Sequence, residues 1–515
     1  MRTELVRAVM LTKVCGGAAM NVSGTQPAAA GGRRQFLAFG AAGMLAGRGL
    51  SARAGRADEP VPGNTAIELI PATDRCVRIS YKSSVDGVLS TPDGQRQTVL
   101  SVVGSSQFEF DQLQQGGAAR QLEGMRLSRR YRRASVNTRV GRGHETSTVL
   151  PSGTSLMHVY GNDGQLVQLS PEVRLTRSQL DLLQFPCDPA GAVGLLPGRS
   201  LAAADEKWNA DPWVFPLLTG MDAAISQSVS GKILELSEQE AKIGFECRGS
   251  GAVTGSATEV TLTGTLLFDR KSLMIRRFDA VIDENRSAGP VSPGLKVKAS
   301  ISWTQDPADS DGQLSALIPA GFPESGRLLL TLVTPWRLVL LHDRRWHVFQ
   351  ETADLVILRM LTNGALTAQC NLAAAPQMPA GRFTEEGKFL SEIEQKISPW
   401  KGAIVDSSVE SDRQGWRVHH VRAEAEVQPA VAGAALASNA AANGAGPAAA
   451  EKSAEKRSLQ KILWDYYLCT AKSGEQFSMV FSHAAEDAAE FSGVPDQFLS
   501  RMSIRTARPG VPLPR

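Results

Sequence analysis

Apolar and polar residues alternate one by one through much of the stretch from Ala66 to about Thr304. Val77, Ile79 and Tyr81 are separated by polar residues, and Phe108 and Phe110 follow the same rule. A period of two places successive side chains on opposite faces of a strand. A denser set of such segments covers Ile233–Leu236, Ala241–Cys247, Glu259–Phe268, Met274–Ile282 and Val297–Trp303, with Gly, Asp and Ser between them. This predicts an antiparallel meander. Two stretches break the pattern. Leu127, Tyr131 and Ala134 fall at i, i+4 and i+7 and predict a helix, and Leu175-Thr176-Arg177-Ser178-Gln179-Leu180 reads as a capped helix start running on to Leu183. Several strands are expected on each side of Pro197. Trp208, Trp213 and Phe215 beside Pro212 and Pro216 form an aromatic group, expected to pack in a core rather than to line a ligand mouth.

Gln305–Ser325, rich in Asp, Ser, Gly and Pro, marks a boundary between two domains expected at 64–310 and 325–508. Beyond it the strand signals are Arg327–Val333, Arg337–Leu341, Trp346–Phe349, Leu355–Leu361 and Ala368–Leu372. An amphipathic helix is predicted at Thr384–Ile397, with Phe389, Ile393 and Ile397 on one stripe. Ile404–Val409, Trp416–Val427, Ile462–Thr470 and Glu475–Ser482 follow as strands, and Ala484–Met502 has helical character. Gln428–Arg457 is dominated by Ala with Gly, Asn and Pro and carries no apolar stripe. It is expected to be a disordered insertion inside one domain, because the strands on either side read as neighbours in one sheet and loop closure costs little with length.

The predicted fold class is α+β, an antiparallel β-rich N-terminal module followed by an antiparallel sheet with flanking helices. The order of elements from Trp346 to Met502 resembles the PsbP-like fold. The resemblance rests on Asp343-Arg344-Arg345-Trp346-His347-Val348, the Phe383–Ile397 helix, Trp464-Asp465-Tyr466-Tyr467 and Phe477-Ser478-Met479-Val480-Phe481, about a third of the chain. It implies a non-catalytic binding or assembly module. The first module is similar, more loosely, to LolA-like half-barrels, which implies a curved sheet able to hold an apolar ligand or helix. The whole chain resembles exported proteins of planctomycete-type bacteria.

Export is also read from the N-terminal region. Arg33-Arg34-Gln35-Phe36-Leu37 precedes an apolar Gly/Ala-rich run from Ala38 to Leu50, and Ala52-Arg53-Ala54 supplies a small-residue cleavage site. This resembles a twin-arginine translocation (Tat) signal over residues 1–57, with Arg33, Arg34, Phe36 and Leu37 read by the Tat translocase and cleavage at Ala52 and Ala54. The run is shorter than the roughly 20 apolar residues a bilayer span needs. The expected location is the periplasm or the exterior, with no transmembrane segment.

Charge supports that division. The chain carries +3, but residues 1–57 hold eight Lys/Arg and one acid, so forty-seven basic residues face fifty-one acidic ones in the remainder. A general nucleic-acid binder would keep a positive excess, so nucleic acid is not expected as a partner. Of six scattered cysteines, Cys76, Cys187, Cys247, Cys370 and Cys469 follow the leader. Most are expected to be small buried hydrophobes, with Cys370–Cys469 as a candidate disulfide.

Signals of chemistry are few. The chain has no G-x-S-x-G elbow and no Walker A sequence, and His144-Glu145 lacks a second His in register. His419 and His420 are adjacent in a strand, so their side chains are expected on opposite faces and unable to clasp one metal. His342 and His347, flanking a turn, are read as ordinary half-buried histidines. Gly249–Gly255 is expected to be a hairpin connection rather than a phosphate loop, which would open a helix. Arg126, Arg129, Arg130, Arg132 and Arg133, with Arg139, Arg142 and Tyr131, form the one strong charge cluster. It reads either as the solvated face of a helix or as a site for an anionic partner such as a lipid surface or a polyanion. No metal and no cofactor are expected. The function that follows is a non-catalytic binding or assembly protein of the envelope. The alternatives are a carrier of an apolar or lipid-like ligand in the first module and an enzyme with an unrecognised site.

Overall fold

The computed structural model describes residues 67–427 and 459–504 apart from short loop stretches. The expected signal at 1–57, including Arg33, Arg34, Phe36, Leu37, Ala52 and Ala54, and the expected insertion at 428–457 lie outside the described residues.

Alternation does build a meander, with strands longer than their apolar cores suggest. The first six are β1 (Cys76–Asp93), β2 (Arg96–Gly116), β3 (Arg126–Val140), β4 (Thr146–Val149), β5 (Leu156–Asn162) and β6 (Gln165–Leu169). A stretch of loops and short helices follows: α1 (Arg177–Leu182), α2 (Pro189–Ala192), the short strand β7 (Lys207–Asn209) and α3 (Val214–Thr219). The chain then returns through β8 (Ala223–Leu236), β9 (Glu240–Val253), β10 (Ser256–Asp269), β11 (Met274–Arg286) and β12 (Gly294–Pro307). All twelve strands join one sheet in the spatial order β6-β5-β3-β2-β1-β12-β11-β10-β9-β8-β7, with β4 on β3. In space each half runs in reverse of its chain order, and the two are joined where β1 pairs antiparallel with β12, Tyr81 opposite Trp303.

Every second residue of the central strands lies on one buried face. Phe108, Tyr81, Trp303, Phe278, Leu266 and Ile243 form a row across it, and Trp303 stacks on Phe278 with ring centroids 5.1 Å apart. The helical stretch covers this face. Thr176 caps α1 with a full capping box to Gln179, and from the segment after it Phe185 stacks on Phe108 and tilts onto Tyr81, both at 4.8 Å. Trp208 and Phe215, both buried, lie over Gly231 and Gly249, where a Cβ would come within 2.6 and 2.5 Å of their rings. Glycine is therefore required at both positions by close approach rather than by a turn. Core packing, the expected reading of Trp208 and Phe215, matches their positions.

After β12 the chain forms β13 (Leu330–Val333) and β14 (Leu338–His342). It continues as β15 (Trp346–Glu351), β16 (Leu355–Thr362), β17 (Ala365–Ala375), α4 (Glu386–Ile397), β18 (Ala403–Arg413), β19 (Trp416–Val427), β20 (Gln460–Ala471), β21 (Gln476–Ala484), α5 (Ala488–Phe491), α6 (Val494–Ser500) and β22 (Met502–Ile504). Seven of these strands make an antiparallel sheet ordered β15-β16-β17-β21-β20-β19-β18, and β13-β14-β22 make a small one beside it. The stripe of α4, Phe389, Ile393 and Ile397, packs on Val421, Ala423, Trp464 and Tyr466 of one face. Phe491, Val494, Phe498 and Leu499 of the C-terminal segment pack on Phe481, Cys370 and Tyr467 of the other. The molecule is thus mostly antiparallel β-sheet, a twelve-stranded sheet followed by a seven-stranded one with a few short helices.

The turn Asp343–Arg345 joins the two sheets. Arg344 donates from Nε to the Gly326 carbonyl at 3.0 Å and from Nη2 to the Gln168 carbonyl, while Arg177 donates to the carbonyl of Arg344 at 3.0 Å. Burial, with Arg177 close by, lowers the pKa of Arg344 to about 9.

Two expectations are corrected. The helix expected through Leu127–Ala134 is strand β3, because pairing with β2 on one side and with β4 and β5 on the other outweighs a local three-residue apolar match. The disulfide between Cys370 and Cys469 is not formed. All five described cysteines are buried free thiols, and β21 lies between the strands that carry those two.

Candidate functional site

Over its central strands the other face of the large sheet is uncovered by any described element. Ser80, Lys82, Ser84 and Asp86 on β1 are exposed, and so are Ser101, Ser105 and Gln107 on β2 and Lys296, Lys298, Ser300 and Ser302 on β12. Register aligns these residues into rows that no linear pattern reveals. Gln107, Lys82, Ser302, Asp279 and Thr265 stand side by side across five strands, and Ser105, Ser84, Ser300, Val281 and Thr263 form the row beside them. The twist of the sheet bends this strip into a trough of about 540 Å³. A second depression of about 410 Å³ continues it on the same face, lined by Arg248, Ser250, Glu259, Thr261, Asp283, Asn285 and Lys296.

On the open face of the two depressions Lys82, Arg248 and Lys296 are set against Asp279, Glu259 and Asp283, while the fourth acid there, Glu284, is buried and paired with Arg286. Asp279 is further held by Arg277, whose Nε donates to it at 2.6 Å. The hydroxyls of Ser84, Ser105, Ser300 and Thr263 make no side-chain hydrogen bond among the described residues, which leaves each free to donate and accept. A surface of this kind can hydrogen-bond a polar ligand along its length. Ser302 stands between Lys82 and Asp279 without a hydrogen bond to either, and among the described residues no group of three or more His, Cys, Asp or Glu there is placed to hold a metal ion.

The structure disperses the arginine cluster. Arg129 points into the buried face and is fully enclosed. Its Nη1 and Nη2 donate to Asp188 at 2.8 and 2.5 Å, its Nε donates to Gln112 at 2.8 Å, and its guanidinium lies 5.1 Å from the Phe110 ring centre. Burial opposes its charge, but Asp188 and Tyr131 more than offset that and hold the pKa above the usual guanidinium value. Neither a solvated face nor an anion site describes this residue. Arg132 donates to Asp111 at 2.9 and 2.6 Å, and Arg78 shares the same carboxylate at 2.8 Å. Burial of Asp111 acts upward on its pKa, yet the two guanidinium bonds win and hold it below the usual carboxylate range. Arg130 donates to Gln313 at 2.7 Å, and Arg126 is half-buried along Gly116. Arg133, Arg139 and Arg142 are exposed.

A second polar group lies in the seven-stranded sheet. Asp465, fully buried, accepts from Arg422 Nε at 2.8 Å and Nη2 at 3.2 Å and lies 2.8 Å from His420 Nε2, with His483 Nε2 at 3.9 Å. Burial would raise its pKa, but the bonds to His420 and Arg422 lower it. Burial lowers that of His483. His420 stacks on Tyr467 at 4.5 Å, while its neighbour His419 faces Phe389 of α4 on the opposite side, as alternation requires. Aromatic packing around His420 and His483, the latter 4.4 Å from the Phe491 ring, makes this group a structural clamp under the C-terminal helices. Among the described residues no group of three or more His, Cys, Asp or Glu is placed to hold a metal ion, and no helix is long and apolar enough to cross a membrane.

No family model and no curated protein matches the chain. Among solved structures it is similar to DynF from the dynemicin biosynthesis pathway of Micromonospora chersina, at 6% identity and a TM-score of 0.13 over 49% of this chain and 89% of that one. It is also similar to the outer membrane protein OprD from Pseudomonas aeruginosa, at 9% identity and a TM-score of 0.11 over 82% and 97%. The translocator domain of the autotransporter NalP from Neisseria meningitidis gives 8% identity and a TM-score of 0.10 over 80% and 89%. Scores this low carry no argument about fold or function.

Proposed function

We propose that the chain is an exported, non-catalytic binding protein of the periplasm or cell envelope, and that it contacts its ligand through the open face of the twelve-stranded sheet. The observation that carries this reading is the trough, a concave, hydroxyl-lined strip on a broad sheet face that no described element covers. Export is supported by the twin-arginine pattern at Arg33-Arg34, and the covered seven-stranded sheet supports the PsbP-like reading of the second half as an assembly module. Two tests follow. Replacing Arg33 and Arg34 by Lys is expected to leave precursor in the cytoplasm, and unchanged secretion would reject the Tat assignment. The chain beginning near Gly55 is expected to be retained on purified envelope fragments, and a Ser84→Glu, Thr263→Arg variant to be released. That variant fills the trough without changing net charge, so equal retention of both proteins would reject the open face as the binding surface.

One observation favours a second reading, a carrier of an apolar ligand. The helical stretch lies like a lid over the apolar face of the large sheet, with Phe185, Leu195, Phe215 and Leu218 buried against it. Saturable, stoichiometric binding of a fatty acid that strengthens on Phe215→Ala would support it, and no uptake by either protein would reject it.

A further inference from the structure

We infer that the ligand of the trough is a neutral polysaccharide strand lying across the β-strands. This rests on the reading of the open face as the binding surface and adds the class of ligand. Three features of the trough select it.

The first is charge. Three cationic and three anionic side chains line the two depressions on the open face, interleaved rather than segregated, and a fourth acid, the buried Glu284, is neutralised by Arg286. Lys298, between them, stands opposite both Asp86 and Asp283. A polyanion needs a positive strip, and this strip has no net field. The exposed Arg133 and Arg139 lie on β3 and Arg142 in the turn after it, beyond the far wall of the trough.

The second is the spacing of hydroxyls. Ser105, Ser84, Ser300 and Thr263 occupy one row, with Val281 as its single apolar member. Neighbouring strands are about 4.8 Å apart, so the row offers a donor-acceptor group at intervals close to the length of one pyranose ring. Sugar hydroxyls are donors and acceptors too, so the pairing works in either sense without a charged partner. A peptide would instead use a sheet edge, where backbone groups are free.

The third is extent. The two depressions share strands β10, β11 and β12 and together exceed the footprint of a single sugar. Each hydroxyl contact is weak, so affinity comes from repetition along a polymer.

The inference is tested with the chain beginning near Gly55. Its retention is measured on insoluble cellulose and chitin, and its retardation in gels cast with a soluble β-glucan, with heparin as the polyanionic arm. Retention on at least one neutral polymer is expected, reduced roughly tenfold in the Ser84→Glu, Thr263→Arg variant, the equivalent of one or two lost hydrogen bonds. A Ser84→Ala, Ser300→Ala, Thr263→Ala variant adds no bulk or charge to the sheet. It is expected to lose binding while melting close to the parent, which keeps the test decisive where the charged variant folds poorly. No retention on any neutral polymer, equal retention of all three proteins, or salt-sensitive binding to heparin alone overturns the inference. The envelope-fragment assay separates the two layers. If the variants lose envelope retention but soluble β-glucan and chitin fragments do not compete with the parent, the ligand class is wrong and the binding face stands. If the variants keep envelope retention, the binding face fails as well.

Discussion

The two large sheets are both antiparallel, yet one is covered on a single face and the other on both. In the twelve-stranded sheet the helical stretch closes the apolar face, and no described element covers the central strands of the polar one. In the seven-stranded sheet α4 covers one face and the C-terminal helices cover the other. The difference reaches the buried charges. Each sheet encloses an aspartate paired with arginine at a point where helix meets strand, Asp188 with Arg129 in the first and Asp465 with Arg422 and His420 in the second. In the first the pair ties the cover to the sheet. In the second it ties β19 to β20 beneath the terminal helices. Among the described residues the broad polar face with a trough belongs to the first sheet.

Breaking the first tie is expected to have the largest effect. Asp188→Ala leaves Arg129 buried without its counter-charge and removes the carboxylate that accepts from Ala190 N at the start of α2. The expected loss is about 3–5 kcal/mol, read as a fall in denaturant midpoint, and Arg129→Met in the same chain should recover much of it. A loss below about 1 kcal/mol would mean that the cover is not clamped there.

The junction between the sheets should respond to acid. Burial depresses His342 from 6.5 to about 4. The unfolded chain therefore takes up the proton first, so stability is complete above about pH 6.5 and declines as pH falls toward 4, by about 3 kcal/mol in all. His342→Gln should flatten that part of the curve. A parent chain equally stable at both ends of the window would contradict the buried, neutral imidazole. Asp465 acts in the same direction but later. Its pKa lies below the ordinary carboxylate value, so its contribution disappears only as pH falls through that lower value.

In the second sheet Asp465→Asn keeps the shape and weakens the bonds from Arg422 and His420. The expected cost is about 1.5–3 kcal/mol, below that of Asp188→Ala because Arg422 reaches solvent. An equal or larger cost would show that the two ties are equivalent after all. The smallest effect is expected from deleting Val431–Ala450 with a short Gly/Ser bridge. Val427 and Gln460 are direct partners in the β19–β20 ladder, so the intervening chain has only one strand spacing to span. The melting temperature should move little, and a large fall would mean that the segment packs on the sheet.

Period-two alternation, the stripe of α4 and the cap at Thr176 were all legible in the sequence, because each depends on residues a few positions apart. So was the division of His419 and His420 between two faces, which follows from the geometry of any strand. The arginine cluster was visible, but its meaning was not. Neighbours in sequence became one enclosed cation, Arg129, one half-buried side chain, Arg126, one partner of Asp111, Arg132, and others left at the surface, because a bulge opposite Glu109 and Phe110 and a counter-charge 59 residues away decide which way each one points. The trough was illegible altogether. Ser84, Ser105, Thr263 and Ser300 are ordinary polar positions in four separate strands, and only the pairing of β1 with β12 brings them into one row. Local sequence determined which residues became strands and which side of each strand is apolar, since those depend on period and propensity. Tertiary structure alone decided which strands lie side by side, which face is covered, and therefore where a ligand can reach, because register and cover are set by contacts between residues far apart in the chain.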